Sequence, residues 1–125
     1  MPGTIGLIRG IIMHGSGQTA MGLVLRQDGL PVKQADLSGI SYQVLRFEMS
    51  GARTTTGQGT LAISTVVYDT PVTNDPRYTL PGGFNFAAVI PATCFTTEGL
   101  FHRIDVMFTP VSGQPWVQEW GGVTQ

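Results

Sequence analysis

The side chains that could carry acid–base, nucleophilic or metal chemistry are few: two histidines, one cysteine and eight acidic residues. His14 and His102 lie far apart, and neither has a neighbour at ligand spacing. A zinc site needs three or four Cys, His or carboxylate ligands within tetrahedral reach, so the spacing argues against one. Cys94 is the only cysteine, which excludes an internal disulfide. Its Thr-rich, Phe-flanked surroundings read as those of a small buried residue rather than a nucleophile. The carboxylates Asp28, Asp36, Glu48, Asp69, Asp75, Glu98, Asp105 and Glu119 are dispersed. A glycosidase needs two placed across a sugar, and calcium needs six to eight oxygens; neither pattern is present. Asp28, Asp36 and Asp75 stand beside turn formers and read as backbone caps. The run Gly15–Gly22 is glycine-rich but lacks the lysine and following helix of a phosphate loop. His14-Gly15-Ser16-Gly17 lacks the spacing of a nucleophile elbow. The expectation is a protein with no catalytic residues, no cofactor and no metal.

Aromatic residues offer a different chemistry, that of contact. Trp116 and Trp120 are four apart, so on a strand both indoles share a face. They either pack against a second sheet or form a patch for a neighbouring chain, since tryptophan is enriched at interface hot spots. Gly113 and Gly121-Gly122 flank this segment and suit one that docks. The candidate interface residues are Leu7, Ile11 and Met13 near the N-terminus and Trp116, Val117 and Trp120 near the C-terminus.

Composition narrows the partners. The chain has 125 residues, 42% of them hydrophobic and only 12% charged, about half the usual charged share of roughly 25%. So little charge suggests a surface partly covered in an assembly, because monomers rarely leave weakly charged apolar surface open. The net charge is −1, with one lysine and scattered arginines. Without a basic stripe, nucleic acid is not an expected partner. No run reaches the ~18 uncharged apolar residues of a membrane span, and no signal sequence is visible. The chain reads as soluble, unprocessed and a single domain over residues 1–125, long enough to bury a core without staples.

The elements that must position these residues read as strands. Asp28-Gly29 is a turn signal, and Ile40-Ser41-Tyr42-Gln43-Val44 alternates apolar and polar as a half-buried strand does. Strands are predicted over 7–13, 20–26 (Met21, Leu23 and Leu25 on one face), 40–47, 60–68, 84–90, 102–110 and 116–120. Ile104, Val106 and Phe108 make the penultimate one the clearest. Ala35–Ser38 has room for one helical turn. Residues 49–59 read as a mobile loop or hairpin tip, and the proline-rich 69–83 as a long loop or edge crossing. About seven short strands without a sustained helix predict an immunoglobulin-like antiparallel β-sandwich, an all-β fold.

The order of turns and strands resembles small β-sandwich virion proteins of tailed phages and prophages, such as the N-terminal domain of siphophage upper baseplate proteins. The resembling segments are Asp28–Val32 leading to Ile40–Val44, Val66–Thr70 with Asp75–Thr79, Gly83–Phe86 with Ile90-Pro91, and Ile104–Pro110 with Ser112–Pro115. The resemblance implies a structural, non-enzymatic role and no catalytic residues. It implies partners among other virion proteins and copies of the chain itself, in a homo-oligomer or larger assembly, with localisation in the virion after assembly in the host cytoplasm. Upper baseplate proteins continue into further domains; ending at Gln125 fits a free-standing capsid decoration, neck or tail component. The alternative is a carbohydrate- or ligand-binding sandwich module, with Tyr68, Tyr78 or Trp120 stacked on sugar faces.

Overall fold

The computed structural model describes residues 4–5, 17–95, 97 and 99–123. The predicted first strand, with Leu7, Ile11 and Met13, lies outside the described residues. In chain order the strands are β1 (Thr4–Ile5), β2 (Gln18–Gly22), β3 (Leu37–Phe47), β4 (Arg53–Leu61), β5 (Val67–Val72), β6 (Phe84–Ile90), β7 (Phe101–Pro110) and β8 (Trp116–Val123). They form a five-stranded sheet, β1-β8-β7-β3-β4, and a three-stranded sheet, β2-β6-β5. All pairings are antiparallel except β1 with β8, which is parallel. The fold is an all-β sandwich.

Alternation places the core. Ile104, Val106 and Phe108 on β7 are fully buried, while Arg103, Asp105 and Met107 face outward. On β6, Phe86, Ala88 and Ile90 turn to meet them, and Phe86 contacts both Phe108 and Trp120 across the gap. Each fully buried Phe or Ile contributes about 1.5–3 kcal/mol. The longest pairing is β3 with β7, running from Leu37↔Pro110 to Phe47↔Phe101.

Three local expectations are corrected. First, the predicted strand over 20–26 leaves its ladder at Gly22, and Ala20, Gly22 and Val24 are the buried residues, not Met21, Leu23 and Leu25. The reason is space: a Cβ on Gly22 would sit 3.3 Å from the Trp120 ring, so the smallest residues must face in. Second, residues 53–59 are strand rather than loop. The Thr- and Gly-rich segment pairs with β3 from Phe47↔Arg53 to Ile40↔Leu61, and the hairpin tip shrinks to Glu48–Ala52. Third, the predicted strand over 60–68 is interrupted by a helical turn, Ile63–Val66 (α1), which carries the chain from one sheet to the other. The expected turn near Ala35 is a 3-10 turn at Gln34–Asp36.

Where β2 leaves β6, a buried side chain replaces the ladder. Asn85 Oδ1 accepts the Val24 N–H at 2.7 Å, and Nδ2 donates to the carbonyls of Val24 (2.9 Å) and Val32 (3.0 Å). It ties down both arms of the hairpin that turns at Gly29, whose φ of +86° requires glycine.

Candidate interaction surface

The predicted docking strand β8 presents two faces. Trp116, Gln118 and Trp120 point inward. Trp120 is 3% exposed, stacks on the Phe86 ring at an interplanar angle of 29°, and donates its indole N–H to the Met21 carbonyl at 3.0 Å. Trp116 stacks on Phe108 and packs against the core while half-buried. Both indoles therefore share a face, as the i, i+4 spacing requires, and that face is the core. Of the described candidate interface residues only Val117 faces outward. It pairs across the ladder with exposed Met107. Around them Ser41, Gln43, Gln58, Gly59 and Asp105 complete a shallow hollow of about 510 Å³.

A larger open groove, about 920 Å³, lies where β3 begins and β4 ends. The half-buried Leu61 and Ile63 give it apolar surface above the buried Ile40; Ser38, Ser41, Thr60, Ser64 and Thr109 supply hydroxyls. Among the described residues Asp69 is the only charged one lining it, and its Oδ1 accepts the Gln34 N–H at 2.7 Å. The sandwich gathers Gln34, Ser38 and Ser41 at one end of a sheet. No local spacing links residues 34–41 to 60–69, so only the β3–β4 register could have revealed the groove.

At the opposite end of the same hairpin the tip carries Met49, 92% exposed. Arg53 follows, its guanidinium 5.3 Å from the Phe47 ring centroid, with Arg103 at 5.4 Å from the same ring. Phe101 meets Phe47 edge-on.

Charge elsewhere is cancelled locally. Four of the five described arginines bind a carboxylate two residues away: Arg26–Asp28, Arg46–Glu48, Arg77–Asp75 and Arg103–Asp105. Arg103 and Asp105 share the outward face of β7, as residues two apart on a strand do; the other pairs sit at or beside turns. The Arg26 guanidinium holds the Asp28 carboxyl below its usual range, as Arg77 does for Asp75. The three predicted caps are all in place: Asp28 accepts the Leu30 N–H, Asp36 the Lys33 N–H and Asp75 the Arg77 N–H. Among the described residues Arg53 and Lys33 are the cations without an ion pair.

Cys94 is buried, and burial raises its thiol pKa, which disfavours the nucleophilic thiolate. His102 is buried on β7 with Nδ1 3.3 Å from the Leu100 carbonyl and its ring edge-on to Phe95. Among the described residues no three His, Cys, Asp or Glu side chains are grouped to hold a metal ion. No described helix is long and apolar enough to cross a membrane. Of the aromatic residues named for sugar stacking, Trp120 is in the core, while Tyr68 is exposed and Tyr78 half-buried, each meeting Phe84 edge-on, at 5.6 and 5.7 Å. No protein-family model matches the chain, and neither the curated proteins nor the solved structures contain a match to it.

Proposed function

We propose that the chain is a non-enzymatic structural subunit of a tailed-phage or phage-like particle, working through protein–protein assembly with other virion proteins and with copies of itself. The observation that carries the reading is the outward Met107–Val117 pair. It is an apolar cross-strand contact, both side chains more than a third exposed, set in a hollow on the broad face of the larger sheet. The local cancellation of arginines by carboxylates adds to it. Such a surface carries little long-range field and favours a partner of matching shape over nucleic acid or another strongly charged ligand. In this reading the sandwich is immunoglobulin-like, a reading supported by its Greek-key-compatible two-sheet architecture and by the parallel pairing of its first and last strands.

The test is compositional. Particles purified by density from the source culture should contain the chain at a fixed ratio to a capsid protein, measured by quantitative mass spectrometry. Its absence from purified particles, or a ratio that drifts between gradients, overturns the proposal.

A further inference from the structure

We propose that the two ends of the β3–β4 hairpin are complementary, and that one copy of the chain docks its hairpin tip into the groove of the next. This rests on the assembly reading above and names the partner as a second copy.

The tip offers a knob. Met49 is the most exposed of the large hydrophobic residues described, and methionine is a flexible side chain that adapts to irregular apolar gaps. Glu48 beside it is neutralised by Arg46 at 2.7 Å, which leaves Arg53 as the tip's uncompensated charge. The Phe47 ring holds that guanidinium in place. The groove offers the matching hole: apolar surface from the half-buried Leu61 and Ile63 and, among the described residues, the carboxylate of Asp69 as its only charge. Arg53 and Asp69 make no ion pair with any described residue of their own chain. From Ser41 to Met49 the strand rises ~26 Å at ~3.3 Å per residue. A paired hairpin cannot fold that distance back on itself, so the two ends can meet only between copies.

The sheet edges are poorer contacts. β4 is broken by a bulge at Val44/Leu45, and the Ala92–Cys94 turn lies against it, with the Cys94 carbonyl accepting from Thr56 Oγ1 at 2.7 Å. β5 contains Pro71 and holds only Val67↔Phe86 and Val72↔Phe84 in register. Both are the devices by which edges resist strand addition. Tip and groove are different patches, so the contact is heterologous and propagates into a ring or a filament. Each contact is small, and repetition around a closed ring supplies the avidity.

Sedimentation velocity over a concentration series reads the proposal directly. The wild-type chain should self-associate. Arg53→Glu and Asp69→Asn should each weaken association about tenfold; the asparagine keeps the acceptor for the Gln34 N–H, so the fold is preserved. Met49→Gln should weaken it as well. Arg53→Glu and Asp69→Arg chains should each stay apart when alone, because each then sets like charges at the contact, and an equimolar mixture should regain assembly in alternation, because the reversed pair and the remaining Arg53–Asp69 pair both match. If the wild type assembles and none of these changes alters it, the tip–groove contact is wrong and the assembly reading stands. If the wild type is a monomer at every concentration, the contact is overturned, the groove is left to a different virion protein, and particle composition decides the broader reading.

Discussion

The two sheets are joined along two seams, and the seams are built differently. On one side Trp120 of the larger sheet reaches over Gly22 of the smaller, stacks on Phe86 and donates to the Met21 carbonyl. On the other, Cys94 lies over Gly57 while Thr56 Oγ1 donates to the Cys94 carbonyl. Each seam combines a glycine, a side chain laid over it and one side-chain-to-backbone hydrogen bond. They differ in what fills the space. The first is a broad aromatic contact whose stability comes from apolar area and ring stacking. The second is a close contact: a Cβ on Gly57 would fall 2.3 Å from Cys94 Sγ, against 3.3 Å at Gly22. The aromatic seam should therefore fail by loss of area, and the thiol seam by overpacking.

Removing the indole should have the largest effect. Trp120→Ala deletes a fully buried aromatic and should cost about 3–5 kcal/mol, read as a fall in the urea midpoint. Trp120→Phe retains most of the area but leaves the Met21 carbonyl without its donor, and should cost about 1–3 kcal/mol. If the alanine variant unfolds no earlier than wild type, the ring belongs to a contact outside this chain.

The glycines separate the seams next. Gly57→Ala should cost about 1–3 kcal/mol through overpacking, because the thiol it meets is itself buried and cannot swing away. Cys94→Ala in the same chain should recover part of that loss, with a coupling of at least ~0.5 kcal/mol in a double-mutant cycle. Gly22→Ala should stay within about 1 kcal/mol of wild type, since a small shift of the indole relieves 3.3 Å and the alanine restricts the unfolded chain. Equal costs at the two glycines would erase the distinction between the seams.

Half of this plan is legible in the chain. The alternation of Ile104, Val106 and Phe108, and of Phe84, Phe86, Ala88 and Ile90, declares strands and their buried faces, and the structure keeps both. Trp116 and Trp120 are readable as sharing a face, but the sequence leaves open whether that face meets a sheet or a neighbour. The seams are not readable. Gly22 faces inward because a tryptophan ninety-eight residues later covers it, and no local pattern encodes that. The same blindness hid the strand at Arg53–Leu61: its threonines and glycines read as a loop until β3 is laid beside them. Asp69 and Arg53 look unremarkable for the same reason, since only the fold places Asp69 of β5 in the groove at one end of the β3–β4 hairpin and Arg53 at the other.

Acidification should distinguish the seams with the smallest effect. His102 lies beneath the thiol seam, edge-on to Phe95, the residue after Cys94. Burial lowers its pKa below the ordinary value of 6.5, outweighing the Leu100 carbonyl, which favours the charged ring. Above that value the imidazole is neutral in both folded and unfolded chains and contributes no pH dependence. As pH falls below it, the unfolded chain takes up a proton first, so the fold is progressively destabilised until the folded-state pKa is passed. The carboxyls of Asp28 and Asp75 are also lowered, from 3.8, so they act only in a separate and more acidic window. Urea midpoints should thus be flat above about pH 7 and decline between about pH 6.5 and 5. His102→Phe should remove that decline, whereas Trp120→Phe should retain it. If His102→Phe keeps the full slope, the acid sensitivity lies elsewhere and the thiol seam is no more pH-dependent than the aromatic one.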